Sequence, residues 1–154
     1  MPDIQSPQNV LANNVQISHS KKGIAMCPGK KILLIDDDVE LCETFCDVLQ
    51  SGGHDVHVLH SGSEAFRLVS RIVPDVVILD MHLPGISGIL VLSHIRHMSR
   101  LAHTSIIIVS GYADLASTAK TVWGADLYLP KPVTPKELLE AINSVSDGRP
   151  SPSL

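Results

Sequence analysis

The stretch KILLIDDD (Lys31–Asp38) decides the fold, because four apolar residues run directly into three consecutive aspartates. A short apolar run bounded by polar residues is typical of a strand buried on both faces, as in a parallel sheet. A segment of helical period follows at once. Its apolar stripe consists of Leu41, Phe45, Val48 and Leu49, and it ends at Gly52–Gly53. The first unit is therefore predicted to be a strand followed by a helix.

The same alternation recurs along the chain until five strand and helix pairs can be counted. The predicted strands are Lys31–Ile35, Asp55–Leu59, Asp75–Leu79, Ser105–Val109 and Leu127–Leu129. Capping-box patterns predict the starts of two further helices, one at Ser61 and Glu64 and one at Thr134 and Glu137, where Pro135 would be the first helical residue. Two more helices are predicted from near Ile89 to Arg100 and from near Ala113 to Trp123. Successive βαβ units of this kind predict an α/β domain with a five-stranded parallel sheet.

The domain is expected to occupy residues 30–146. Residues 1–29 are rich in Ser, Asn, Gln and Pro without a sustained apolar period, so we interpret them as a disordered arm. Residues 147–154 carry Gly and spaced prolines and are interpreted as a flexible tail. The 154 residues suit one domain, and we expect no separate output domain.

Composition excludes several classes of function. Aromatic residues make up only 3% of the chain although 44% is hydrophobic, which favours a core of aliphatic side chains. The net charge of -4 argues against direct nucleic-acid binding. Three cysteines without a secretory leader favour a reducing, cytoplasmic location. No apolar stretch is long enough to insert in a membrane.

Polar side chains stand at the carboxyl ends of four predicted strands, where open α/β sheets bind ligands. Asp36 and Asp37 follow the first strand, Asp80 the third, Ser110 the fourth, and Lys131 lies just after the fifth. If the sheet is parallel, these side chains converge at one edge. Ionised carboxylates that are close together repel one another, so the cluster needs cations.

Lys131 supplies one positive charge, and Mg²⁺ with oxygen ligands is the expected second cation at an edge suited to phosphate chemistry. Asp38 is interpreted differently, as the N-cap of the first helix. Alone, Asp80 would be an ordinary loop acid and Lys131 a solvated lysine. The prediction of a phosphoryl-transfer site depends on their convergence.

Four motifs in this order resemble the response-regulator receiver family of two-component signalling, including its single-domain members that resemble chemotaxis regulators. They are KILLIDDD (31–38), PDVVILDMHLPGISG (74–88), IIIVSGY (106–112) and GADLYLPKP (124–132). The resemblance covers about residues 31–145. It implies a flavodoxin-like, doubly wound (βα)5 fold with strand order 2-1-3-4-5.

The resemblance also implies roles for the residues at this edge. Asp80 would be the phosphoacceptor, and Mg²⁺ would be bound by Asp37, Asp80 and the backbone carbonyl of His82, with Asp36 acting chiefly through water. Lys131 would bind the transferred oxygens. By the same resemblance, the Lys131–Pro132 peptide bond is expected to be cis.

The family's switch would consist of Ser110 and Tyr128. Ser110 would hydrogen-bond the new phosphoryl group, and Tyr128 would turn inward. The expected output face comprises the predicted helix at 113–123, the strand at Leu127–Leu129 and the helix from Pro135. The implied partners are a histidine kinase or histidine phosphotransfer protein and an unknown downstream protein, so we expect a phosphoprotein that signals and not an enzyme.

Other interpretations of the same residues exist. The main alternative is a receiver fold that docks partners independently of phosphorylation, for which Asp80 and Lys131 would be dispensable. A similarity of residues 32–38 to haloacid-dehalogenase phosphatases is weakened by Glu40, where Thr or Val is wanted. An FMN site is disfavoured because the aspartates would repel its phosphate.

Histidine and cysteine groups elsewhere are not predicted to form sites. His54, His57 and His60 would alternate between the faces of a strand, so we expect surface histidines. Cys42 and Cys46 are expected to act as small buried hydrophobic residues of the first helix.

Overall fold

A computed structural model describes residues 29–111 and 124–146 of the chain. The elements run β1 (Lys31–Ile35), α1 (Val39–Ser51), β2 (Asp55–Leu59), α2 (Gly62–Ile72), β3 (Val76–Asp80), α3 (Gly88–His97), a 3₁₀ turn (Ser99–Leu101), β4 (Ser105–Ser110), β5 (Leu127–Pro130) and α4 (Pro135–Ser146). The predicted arm, the predicted tail and the predicted helix at 113–123 lie outside the described residues, and the domain limits remain predictions.

The five strands form one parallel sheet in the order β2-β1-β3-β4-β5. All five predicted strands and the flavodoxin-like order are confirmed. The bounds differ by a residue or two: β3 includes Asp80, and β4 includes Ser110. Both polar residues thus belong to the strands, because their backbones still pair with the neighbouring strands in register.

The sheet is buried on both faces by helices, as the apolar runs of the sequence require. Along β1, Leu33 and Ile35 join the core on the side of α2 and α3, while Ile32 and Leu34 join the core on the side of α1 and α4. β3 and β4 are buried along their whole length. Successive residues of β1 thus alternate between the two cores that cover the sheet.

The helix starts are set by local side-chain caps. Asp38 Oδ1 accepts from the amide of Leu41 at 3.0 Å, so its predicted N-cap role is confirmed. Ser61 and Glu64 form the predicted capping box at α2. Thr134 and Glu137 do the same ahead of α4.

The predicted extent of the third helix was wrong at its C-terminal end. The helix ends at His97, because Met98 has an extended backbone (φ -92°, ψ 110°), and the chain continues as the 3₁₀ turn. Arg96 connects the end of α3 with the segments before β4 and before β5. Its guanidinium donates hydrogen bonds to Gly124 O (2.7 Å), Thr104 O (2.8 Å) and Asp126 Oδ2 (2.8 Å).

Within the described residues, none of the helices has both the length and the hydropathy that crossing a bilayer requires.

The turn from β3 into α3 depends on Gly88. A Cβ atom at this position would lie 2.4 Å from Asp80 O and 2.6 Å from the Cα of Met81, both of which are backbone atoms that cannot move alone. The close approach lets the amide of Gly88 donate to Met81 O at 3.2 Å. α3 is thereby packed directly against the end of the strand that carries Asp80.

We expect Gly88→Ala to lower the free energy of unfolding by about 1–3 kcal/mol, the usual cost of overpacking. Gly111→Ala is the matched control, since a Cβ atom there meets no described atom within 4 Å, and its effect should stay within about 0.5 kcal/mol. Urea unfolding of both variants provides the measurement. Equal stabilities of the two variants would contradict the packing argument.

Candidate functional site

The predicted functional residues meet at the carboxyl edge of the sheet. Asp36 directly follows β1, Asp80 ends β3, Ser110 ends β4, and Lys131 directly follows β5. The parallel order of the sheet carries all of these strand ends to the same edge. Ser110 pairs with Pro130 in the register of β4 and β5, which places Lys131 one residue beyond the strand end.

The Lys131 ammonium lies between two carboxylates. Its Nζ donates to Asp36 Oδ2 at 2.9 Å and to Asp80 Oδ2 at 3.0 Å. Asp36 is 3% exposed and Asp80 5% exposed, so both acids are almost removed from water. Each has a second donor on its other oxygen: the amide of Asp38 on Asp36 Oδ1 (2.9 Å) and the amide of His82 on Asp80 Oδ1 (3.0 Å).

Burial and pairing compete in this cluster. Burial raises the pKa of the Asp36 carboxyl above its ordinary value, although the hydrogen bonds from Lys131 and from the Asp38 amide oppose the rise. Burial alone would lower the pKa of Lys131. The hydrogen bonds to Asp36 and Asp80 together with their negative charges outweigh burial, so the pKa of Lys131 is raised and its charge is retained. The site thus holds a retained cation next to the Asp36 carboxyl, whose burial is incompletely compensated.

Asp37 completes the acidic cluster. One carboxylate oxygen from each of Asp36, Asp37 and Asp80 lies within 4.8 Å of the others, and Asp37 is exposed where the other two are buried. An all-oxygen donor set of this size with one open side suits a hard divalent cation such as Mg²⁺, which keeps several waters. The residues therefore fit the cation that the sequence predicted.

Ser110 and Tyr128 are also brought together. Ser110 is fully buried, and its carbonyl oxygen accepts both the Tyr128 hydroxyl (3.0 Å) and the amide of Lys131 (3.0 Å). Tyr128 is half-buried against the core on the α2 and α3 side. The predicted pair is thus in direct contact, and the Ser110 carbonyl also connects it to the backbone of Lys131.

The structure tests some of the remaining predictions for His82, Pro132 and the cysteines of α1 and leaves one untested. The Lys131–Pro132 peptide bond is cis, as the resemblance implied. The His82 side chain is exposed, and its amide donates to Asp80. The role of its backbone carbonyl remains a prediction. Cys42 is buried and Cys46 half-buried, in line with their expected place on α1.

Sequence reasoning missed one neighbour of the site. His60, interpreted as a surface histidine, is exposed but has its ring Nδ1 3.0 Å from the carbonyl oxygen of Asp36. The contact joins residues 24 positions apart through the pairing of β1 with β2. No local pattern signals it, although a polar residue directly after β2 stands at the same sheet edge as the acids.

Comparison with known proteins identifies the family. The response regulator receiver domain matches residues 32–143. This chain belongs to the response regulator receiver family. Among curated relatives of this receiver, the DNA-binding response regulator MtrA of Mycolicibacterium smegmatis is 35% identical over 115 residues, which are 75% of this chain and 50% of MtrA. The chain spans about half the length of the curated relatives it matches.

Solved structures share the fold of this receiver. The chemotaxis response regulator CheY4 of Vibrio cholerae superposes with a TM-score of 0.71 at 25% identity, covering 76% of this chain and 98% of CheY4. TrrA of Thermotoga maritima, solved in complex with Mg²⁺-BeF, superposes with a TM-score of 0.67 at 32% identity, covering 75% of this chain and 98% of TrrA. This chain is therefore homologous to the receivers of two-component response regulators.

The charge balance of the acidic cluster predicts the effect of Asp36→Asn. Because the raised pKa means that burying the ionised Asp36 carboxyl costs folding free energy at neutral pH, the variant should be more stable than wild type in chelator. The difference should shrink as the pH falls through the pKa of folded Asp36, since the wild-type carboxyl then becomes neutral. Asp47→Asn, at an exposed position of α1 outside the acidic cluster, is the control and should leave stability unchanged. A destabilised Asp36→Asn variant in chelator would contradict this charge balance.

Proposed function

We propose that Asp80 of this receiver accepts a phosphoryl group from a phosphohistidine of a histidine kinase or phosphotransfer protein. The observation that carries the proposal is the lysine bridge: a cation held 3.0 Å from Asp80 Oδ2 and 2.9 Å from Asp36 Oδ2 at the open edge of the sheet. Transfer of a phosphoryl group requires positioned positive charge more than covalent machinery. This edge combines such charge with a carboxylate nucleophile.

The reaction is an in-line displacement at phosphorus. One oxygen of the Asp80 carboxylate attacks, a P–O bond forms, and the P–N bond to the donor imidazole breaks. The electron pair of that bond stays on the imidazole nitrogen, which takes up a proton as the donor leaves. The product is an acyl phosphate on Asp80.

Lys131 and Ser110 act on the transferred group. The Lys131 ammonium lies against Asp80 before transfer, so it needs little movement to pair with a phosphoryl oxygen. The buried Ser110 hydroxyl ends the neighbouring strand and would donate a hydrogen bond to a second oxygen. Both interactions are stronger than they would be in water because the site is largely shielded from solvent.

The acidic cluster would hold Mg²⁺ through Asp37 and Asp80 with the backbone carbonyl of His82, and Asp36 would act chiefly through water. The bound ion supplies positive charge to the transferring phosphoryl oxygens. The mutual repulsion of the three carboxylates favours cation binding, because Lys131 provides one positive charge for a cluster that carries up to three negative ones.

The output would be a shift between two existing states of the end of β4. Drawing Ser110 toward the phosphoryl group moves a peptide whose carbonyl holds the Tyr128 hydroxyl, so Tyr128 and β5 respond together. A tenfold population shift needs only about 1.4 kcal/mol of differential interaction. The output face, which includes β5 and α4, would present this change to a downstream protein.

The free thiols of Cys42, which is buried, and Cys46, which is half-buried, suit a reducing, cytoplasmic location.

Phosphorylation of Asp80 is tested by intact mass after incubation with Mg²⁺ and a small phosphodonor such as acetyl phosphate. Wild type should gain one phosphoryl group, and Asp80→Asn should gain none because an amide is not a nucleophile at phosphorus. Asp47→Asn removes an exposed acid on α1 away from the site and should react like wild type. An adduct that persists in Asp80→Asn would overturn the proposed acceptor.

The switch is tested through the Tyr128 ring resonances in the presence of Mg²⁺ and beryllofluoride. The chain has two tyrosines, so Tyr112→Phe assigns the signals. We expect the Tyr128 signals to shift in wild type, and to shift much less in Ser110→Ala because the hydrogen bond that draws the β4 end inward is lost. A full response in Ser110→Ala would remove Ser110 from the switch. If this protein binds its partner with the same affinity with and without beryllofluoride, it is a docking module that acts independently of phosphorylation.

A further inference from the structure

His60 lies at the carboxyl end of β2, the one edge strand that contributes no predicted residue to the site. Its Nδ1 atom is 3.0 Å from the carbonyl oxygen of Asp36. Because a carbonyl oxygen only accepts hydrogen bonds, Nδ1 must carry the proton and donate. The ring is thus bonded to the peptide group that connects Asp36 with Asp37.

The backbone of His60 is fixed by the capping box of α2. Its amide donates to Glu64 Oε2 at 3.3 Å, and the same oxygen accepts the Ser61 hydroxyl at 3.1 Å. On the other side, the amide of Asp36 donates to Leu59 O at 3.2 Å, which continues the pairing with β2 one residue past the end of β1. These contacts hold the His60 ring over the turn that carries the acids.

The Asp36 carbonyl has a second donor from the interior. The Cys42 Sγ lies 3.4 Å from the same oxygen, and burial of Cys42 raises the pKa of its thiol to about 12, so the thiol stays protonated and can donate. His60 therefore holds the oxygen from the solvent side and Cys42 from the core. The plane of the Asp36–Asp37 peptide is fixed between them.

We propose that His60 is a positioning residue for the cation site, which it preorganises by fixing the peptide that joins Asp36 to Asp37. The inference rests on the proposed binding of a divalent cation by the acidic cluster. Groups that orient metal ligands from outside the coordination sphere typically change affinity about 10–100-fold. Since His60 is exposed and one of two donors, we expect a smaller effect, roughly three- to tenfold in the dissociation constant of Mg²⁺.

The test is calorimetric titration of the full chain with Mg²⁺ at about pH 8, above the ordinary titration range of histidine. His60→Leu removes the donor and should bind Mg²⁺ roughly three- to tenfold more weakly than wild type. His60→Asn retains an N–H donor at a similar distance from the backbone and should recover much of the affinity. A purely structural role of the ring would not produce this recovery.

His57→Leu is the matched control. His57 lies on β2, and its ring faces Asp55 at 3.4 Å and not the acidic turn, so Mg²⁺ affinity should equal that of wild type. Urea unfolding of all variants in chelator separates lost affinity from lost stability, and a loss of affinity in His60→Leu at unchanged stability supports the inference.

Equal Mg²⁺ affinity of wild type and His60→Leu would overturn the positioning role of His60 and leave the proposed function standing. Absence of Mg²⁺ binding by wild type, or binding that is unchanged in Asp80→Asn, would overturn both. Weaker binding in His60→Asn and His60→Leu alike, with no recovery by the amide, would also overturn the role of the N–H donor.

Discussion

The double ion pair of Lys131 with Asp36 and Asp80 is the interaction on which this molecule depends. It joins the end of β5 to the ends of β1 and β3, across the strand β4 that lies between β3 and β5. Burying two ionised carboxylates without a cation would cost folding free energy, because they would lose their hydration without gaining a partner. Without these carboxylates, the Lys131 ammonium would be more stable in water than at this edge. Lys131 therefore offsets part of the cost of burying the two acids, and the same arrangement places a cation beside the carboxylate that is proposed to receive a phosphoryl group.

The fold provides this arrangement through strand order more than through loop shape. Since β1 and β3 are adjacent in the centre of the sheet, their ends bring Asp36 and Asp80 together without a specialised loop. The close approach of Gly88 to the backbone at Asp80 and Met81 then holds α3 against the end of β3. Rigid support of this kind keeps the acids close even though they repel each other, so the oxygens proposed to bind a divalent cation are held in place in advance.

Sequence patterns predicted the strands, the caps and the convergence of the acids, because each depends on local periodicity or on the rule that parallel strands end at one edge. They failed at the end of one helix and at one contact between residues distant in sequence. The apolar period continues past His97 to Leu101, but the backbone of Met98 ends α3, and no residue in that stretch announces it. His60 was assigned to the surface correctly by exposure, yet its ring contacts Asp36 only because β2 pairs with β1.

The carbonyl of Ser110 connects the charged edge with the proposed output face. It accepts the amide of Lys131 and the hydroxyl of Tyr128 at 3.0 Å each, so the lysine that binds Asp80 and the tyrosine of β5 share one acceptor. A displacement of this peptide toward a phosphoryl group must weaken or reorient at least one of the two hydrogen bonds. The net value of each is about 1 kcal/mol, comparable with the free energy that a tenfold change in population needs. In the proposed switch, a single peptide group would therefore be sufficient to pass a change in charge at Asp80 to the surface around Tyr128.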